Sequence, residues 1–288
     1  MDQNTVAKVK LITLRVLAYT LLIFLTILCL IFFYILIINS TKSHKELQGL
    51  FTPLPSTHFF ENLKNAILTP DSIYVNIPVG FLNSLIVSAL TAVITCYFSA
   101  LTAYAIHAYR FKGRKFVAAF ILAIMMIPSQ VSSVGFIQLA YKMGLNNKLW
   151  VLIIPSVAAP SVYFYMIQYL KATLPLDLVE ASRMDGSSEF MTFNRIVLPI
   201  MKPALAVQLI FSFVASWNNF YMPSLLLQDS GKHTLPIMLG LLRGESWSQL
   251  DMGQVWMVIL LSILPVMIVY LILSKSIIKG ITSGSVKG

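Results

Sequence analysis

Between Pro175 and Pro199 the chain reads PLDLVEASRMDGSSEFMTFNRIVLP and gathers four of its eleven carboxylates, Asp177, Glu180, Asp185 and Glu189, among small residues. No nucleophile–base set accompanies them. Carboxylates set among Ala, Ser and Gly make a charged surface that another protein can approach closely. A second group is uncharged: Ser129, Gln130, Ser132, Ser133, Gly135 and Gln138 follow Pro128 inside an apolar run. Counted from Phe116 at about 1.5 Å per residue, Gln130 lies about 21 Å in, slightly past the midplane of a hydrocarbon core about 30 Å thick. A proline followed by hydroxyls and an amide at that depth suits a broken helix beside a polar path. A third group is Trp217-Asn218-Asn219-Phe220, about 21–26 Å from Pro203 along the next-but-one apolar run. Aromatic faces beside adjacent amides suit a carbohydrate. Ser129, Gln130, Ser133, Trp217, Asn218 and Asn219 are thus candidates to line a path. Interhelical hydrogen bonding, and for Trp217 and Tyr221 an interfacial aromatic belt, are the structural alternatives.

Several chemistries find no support. There is no H-E-x-x-H, no G-x-S-x-G and no G-x-x-x-x-G-K-[ST]. Cys29 and Cys96 lie in apolar runs without partner spacing, and His44, His58, His107 and His233 are scattered, so neither a disulfide framework nor a metal site is expected.

The elements that must carry these groups follow from composition. The 288 residues are 57% hydrophobic and 11% charged with mean hydropathy +0.79, which fits an all-α polytopic membrane protein. A net charge of +10 in such a chain reports topology rather than nucleic-acid binding. Six stretches approach the ~20 apolar residues a span requires, at about 14–38, 79–106, 116–140, 149–170, 203–227 and 254–274. The first follows Lys8, Lys10 and Arg15; it is too long for a signal-peptide core, has no small-x-small cleavage site, and is expected to be retained. Prolines 128, 155, 160, 223 and 265 interrupt the later ones. With both termini inside, fourteen Lys and Arg lie on the cytoplasmic side and seven outside, which places 175–199 in the cytoplasm. The outer segments, about 39–78, 141–148 and 228–253, are expected to be loops, the first with one helix over 57–68. They are too small for cores of their own and offer docking surfaces for an external protein. In the second span Gly80, Ser84, Ser88 and Ala92 recur every four residues, a stripe that predicts close helix packing.

None of the last five spans holds Asp, Glu, Lys or Arg. Ion-coupled carriers and cation channels usually keep such charges at membrane depth. A secondary transporter is therefore the weaker alternative, and uphill transport by this chain needs energy from another subunit. Within 175–199, Pro175 can open a helix that Gly186 ends, and Ser187 or Ser188 can cap a second, with Glu189 in its first turn and Phe190, Phe193, Ile196 and Val197 on one apolar face.

The spacing Glu180-Ala181-Ser182, three residues, Gly186, nine residues, Ile196-Val197-Leu198-Pro199 resembles the cytoplasmic signature of permease subunits of binding-protein-dependent ABC importers, with Ser182 in place of a second Ala. Asn83-Ser84, Ala103-Tyr104-Ala105, Arg110-Phe111, Gly113-Arg114, Asp185, Lys202-Pro203, Trp217-Asn218-x-Phe220 and the tail Gly284–Gly288 resemble its sugar-transporting, maltose-transporter branch. The resemblance implies a non-catalytic inner-membrane transport subunit with a core domain over 79–288 and an N-terminal helix and loop over 1–78. It implies a coupling helix between the fourth and fifth spans, with Glu180, Ala181, Ser182, Asp185, Gly186, Ile196, Leu198 and Pro199 facing a cytoplasmic ATPase dimer. The implied partners are a second permease, that ATPase, which alone binds ATP and Mg²⁺, and an external solute-binding protein. A sugar or oligosaccharide is the implied solute, a non-sugar solute the alternative.

Overall fold

The structure is a computed structural model that describes residues 3–68, 76–244 and 251–285; Pro70, Trp247 and the tail residues 286–288 lie outside the described residues. In chain order the helices are α1 Gln3–Ser40, α2 His44–Gln48, α3 Phe59–Leu68, α4 Ile77–Ala108, α5 Arg114–Ile124, α6 Ser129–Lys142, α7 Trp150–Ile153, α8 Pro160–Thr173, α9 Leu176–Met184, α10 Glu189–Thr192, α11 Leu198–Ile200, α12 Lys202–Trp217, α13 Tyr221–Leu226, α14 Leu235–Gly244 and α15 Met252–Ser285. Short 3₁₀ turns at Ile154–Val157 and Ser230–Lys232 and a π turn at Phe193–Val197 complete them, and no strand occurs among the described residues.

Four segments are long and apolar enough to cross a membrane unaided: Leu11–Ser40, Ile77–Ala108, Trp150–Thr173 and Met252–Ser274. Two more candidates are bent pairs, α5 with α6 at 93° and Glu189–Ile200 with α12 at 82°. The stretch 116–140 is therefore not one straight helix. Proline disfavours the helical region for the residue before it and has no N–H to donate, so the ladder stops ahead of Pro128 and restarts at Ser129. The run 203–227 is likewise divided, because α12 ends at Trp217 and α13 begins only at Tyr221.

The chain groups into two compact units. In the first, Met1–Thr69 with Glu245–Leu261, α1 presents bulky apolar side chains over much of its circumference, as a lipid-facing helix must. Below it α2 is held by a capping box in which Ser43 and Glu46 satisfy each other's backbone donors. The Asn62 side chain donates to the carbonyls of Ser40 and Lys42, both at 2.9 Å, and Gly253 lies so close that an added Cβ would stand 2.6 Å from the Lys42 oxygen.

In the second unit, Pro70–Gly244 with Ser262–Gly288, α4 is the axis: 32 residues, about 48 Å, packed mainly on α12 and α8. Asn76 caps it by accepting from Val79 N–H at 3.2 Å. Cys96, Ala100 and Ala103 are small and buried, so neighbouring backbones approach and Met166, Leu170, Phe193, Val197 and Met201 fill the space around them. The segment 228–253, expected as a loop, contains α14; Pro236 sits at a helix start, where its missing N–H costs nothing.

Candidate functional site

The polar loop folds as two short helices joined by a turn. Pro175 precedes α9 and Asp177 occupies its first turn, where the helix dipole favours a negative charge. Gly186 has φ +78°, the left-handed conformation, and the turn closes as a Schellman motif: Ser187 N–H donates to Ser182 C=O and Gly186 N–H to Arg183 C=O, both at 3.0 Å. Ser188, rather than Ser187, caps α10 by accepting from Met191 N–H at 3.3 Å. The ladder widens into the π turn just before Pro199, which has no N–H to continue it.

The loop has two faces. Val179, Ser182, Thr192, Phe193 and Val197 are buried. Ser182 explains its own departure from alanine: its hydroxyl donates to Val179 C=O at 2.8 Å and meets the Thr192 hydroxyl at 3.1 Å, pinning α9 to α10. Glu180, Ala181, Asp185, Gly186 and Pro199 are exposed, while Ile196 and Leu198 are half-buried. Phe190 does not join the apolar face. It is 70% exposed, because the capping turn at Ser188 starts α10 in a register that sends Phe193 and Val197 inward and Phe190 out.

A polar knot ties this loop to the end of α4. Arg183 Nε donates to Glu189 Oε1 at 2.7 Å, and the Tyr104 hydroxyl donates to Glu189 Oε2 at 3.0 Å. The Tyr109 hydroxyl shares the same carboxylate, and the Arg183 guanidinium lies 5.3 Å above the Tyr109 ring. Tyr104 in turn stacks on Phe193 at 5.6 Å. The Arg183 hydrogen bond holds the Glu189 carboxyl below its usual range, and burial together with the Glu189 contact pushes the Tyr109 hydroxyl up to about 12. The loop is thereby rigidly joined to the longest helix of its unit.

The uncharged candidates divide. Ser133 and Asn219 face one cavity of about 540 Å³ bounded by α4, α6, α7, α12 and α13. Ser129, Gln130, Trp217 and Asn218 are not among its lining residues. Ser129 and Gln130 are exposed. Asn218 and Trp217 border a smaller cavity of about 350 Å³ with Phe220, Leu235 and Gly240. Trp217 itself is 2% exposed, stacked on Phe213 at 5.8 Å, edge-on to Phe81 at 5.5 Å and donating its indole N–H to Ser262 C=O at 3.0 Å. It is a packing residue with a satisfied donor rather than an interfacial anchor.

Residues 97–282 match the family of binding-protein-dependent transport system inner membrane components. The chain belongs to this family. Curated relatives of this permease include the arabinooligosaccharide transport system permease protein AraQ of Bacillus subtilis, 35% identical over 270 residues that cover 92% of each chain. Another is the trehalose/maltose transport system permease protein MalG of Thermococcus litoralis, 30% identical over 92% of this chain and 94% of that one. The fold is shared with a chain in the crystal structure of a bacterial ABC transporter involved in the import of the acidic polysaccharide alginate, at 22% identity and TM-score 0.75, covering 91% of this chain and 96% of the other.

Two features of the permease escaped the sequence-level reasoning. One is the Tyr104–Arg183–Glu189 knot, whose members are scattered along the chain. The other is a hydroxyl stripe on α4. Ser84 and Ser88 were expected as packing residues, and they continue through Thr91 and Thr95 along one helix face into the cavity wall. The spacing of 84, 88, 91 and 95 was the available signal. Ser84 Oγ accepts from Leu235 N–H at 2.8 Å. Thr95 Oγ1 donates at 3.1 Å to the Ser156 carbonyl, which Pro160 leaves without an i+4 donor.

Proposed function

We propose that this permease carries a sugar or oligosaccharide through a path beside α4 and is driven through the loop 175–199 by a separate cytoplasmic ATPase. The observation that carries the coupling role is the division of that loop: Glu180, Ala181, Asp185 and Gly186 are presented outward, while its back is clamped to α4 by Glu189 and Phe193. A partner that pulls on the outward edge moves the helix rather than only the loop. ATP binding that closes the ATPase dimer would then favour one of two permease conformations, rigid-body alternating access by population shift. ATP and Mg²⁺ belong to that partner.

In this reading six spans cross the membrane: the four long segments, α5 with α6 as one, and the run 203–227 of α12 and α13, with residues 189–200 ahead of the 82° bend left on the cytoplasmic side. Both termini are cytoplasmic, 1–78 adds a helix and an external segment, and 79–288 is the transport core. A second, homologous permease completes the path, and an external solute-binding protein delivers the solute. The names of the relatives, an arabinooligosaccharide and a trehalose/maltose transport system permease protein, support carbohydrate as the class. The Lys and Arg distribution supports the orientation.

The test is to produce the chain with its partner subunits and replace Glu180 by Lys or Gly186 by Val. Both variants should insert normally, lose the co-purifying ATPase and stop uptake. Normal uptake by both variants defeats the coupling role. Proton-dependent uptake by this chain alone in liposomes would instead establish an ion-coupled carrier.

A further inference from the structure

We propose that a cavity of about 400 Å³ between α4, α5 and α8 is a binding site for one anionic phospholipid of the cytoplasmic leaflet, with the chemistry of phosphatidylglycerol. The proposal concerns the surrounding membrane rather than the solute, and it takes from the reading above only the orientation.

Three cations border this cavity: Arg114 and Lys115, which open α5, and Lys171, in the last turn of α8. All three lie just outside the apolar runs 116–140 and 149–170, at the depth of lipid headgroups. None of their side chains makes an ion pair or hydrogen bond among the described residues, and no Asp or Glu borders the cavity. The first turn of α5 has no acidic residue and no side-chain cap, so the helix dipole adds to the positive potential there instead of offsetting it. Like charges gathered without a counterion repel, and an anion relieves that repulsion. The positive-inside bias explains why Lys and Arg collect on this side, but not why these three converge on one cavity. Arg110, from the same connection, borders a different cavity that Glu180 and Glu189 share.

The rest of the wall sets the class of anion. Leu122, Phe164 and Ile167 are apolar, and beside them Phe116 and Phe120, stacked at 6.2 Å, are exposed on α5. Both helices belong to candidate spans, so this outward surface meets acyl chains. An anionic lipid uses every part of the wall: its phosphate meets the cations, its headgroup hydroxyls the Gln168 amide, and its chains the apolar surface. A soluble anion leaves the apolar part unused, and an acidic protein segment matches the charge but not a surface turned to lipid. The volume, within the range of small-molecule sites, holds the headgroup and leaves the chains in the bilayer.

Native mass spectrometry of the full-length chain in detergent tests this, with phosphatidylglycerol and phosphatidylcholine of identical acyl chains as probes. The parent should retain one phosphatidylglycerol at least fivefold better than phosphatidylcholine. Arg114→Gln combined with Lys171→Gln should erase that preference. Lys112→Gln combined with Lys202→Gln, an equal loss of charge outside the cavity wall, should keep it. Arg114→Lys combined with Lys171→Arg, which preserves both charges, should keep it too. Equal retention of the two lipids by the parent, or the same response in both glutamine pairs, overturns the site. Displacement of the lipid by millimolar inorganic phosphate makes this a free-anion site and overturns the lipid assignment. So does loss of phosphatidylglycerol when the partner subunits assemble, which gives the cavity to an acidic protein segment. Because retention of lipid is read without uptake, each of these outcomes leaves the transport reading to its own test.

Discussion

Gly186 offers the sharpest test of how the loop is built. Its φ of +78° costs an L-residue with a Cβ about 1–2 kcal/mol, whereas Asn tolerates the same region far better. Space is not the constraint, since a Cβ at 186 would meet nothing within 4 Å. Gly186→Ala should therefore act through the backbone alone, shifting the open-to-closed ratio of the turn by roughly 5- to 30-fold for 1–2 kcal/mol. Gly186→Asn should stay close to the parent, and Gly186→Val should be the worst because β-branching adds crowding. Hydrogen exchange of the purified full-length chain reads this directly: the Ser187 amide, bonded to Ser182 C=O at 3.0 Å, should lose protection in the order Asn, Ala, Val. In the assembled importer uptake should fall in the same order. If Asn proves as damaging as Ala, the site requires the absence of a side chain rather than a left-handed backbone. If Ala matches Gly in both assays, the turn is not under conformational demand and the reasoning fails.

Other expectations follow from single contacts. Glu189 has its pKa lowered in the folded protein by Arg183, so its contribution to stability is present above the ordinary carboxylate pKa of 4.5 and is lost as pH falls through the lower folded value; Glu189→Gln should remove that acid-side slope from melting temperature against pH, at a cost near neutrality of about 0.5–1 kcal/mol for this partly exposed pair. Thr95→Val strands the Ser156 carbonyl that Pro160 cannot serve and should cost about 1–3 kcal/mol in thermal unfolding, while Thr95→Ser should cost much less. Gly253→Ala would push a methyl against the Lys42 carbonyl oxygen and the Asn62 amide, and should lower thermal stability by roughly 1–3 kcal/mol. At Gly80 an added Cβ meets the flexible Met238 side chain at 2.8 Å, so Gly80→Ala should cost less than the change at Gly253 in the same melt.

Much was legible from the chain alone because its physics is local. Spans follow from runs of apolar residues, and the ends of α9 and α10 follow from Gly186 and Ser188, whose backbone and cap chemistry act within four residues. The break after Ile124 was visible as Pro128, though not its 93° bend, which depends on what each half packs against. The spacing of Glu180, Gly186, Ile196 and Pro199 sufficed for the family.

What tertiary structure alone decided are pairings between residues far apart in sequence. Hydropathy could not say that Phe190 faces out and Phe193 in, because helix phase over so short an element is set by its cap and its neighbours. Nor could it join Tyr104 to Glu189 across 85 positions, or turn Trp217 from a surface anchor into a buried donor to Ser262. The path residues show the limit most plainly. Ser, Thr and Asn inside an apolar run have the same composition whether they bind a neighbouring helix or face a cavity. Only the packing of α4 against its neighbours shows that Ser84 binds the Leu235 N–H and Thr95 the Ser156 carbonyl while both also border the cavity.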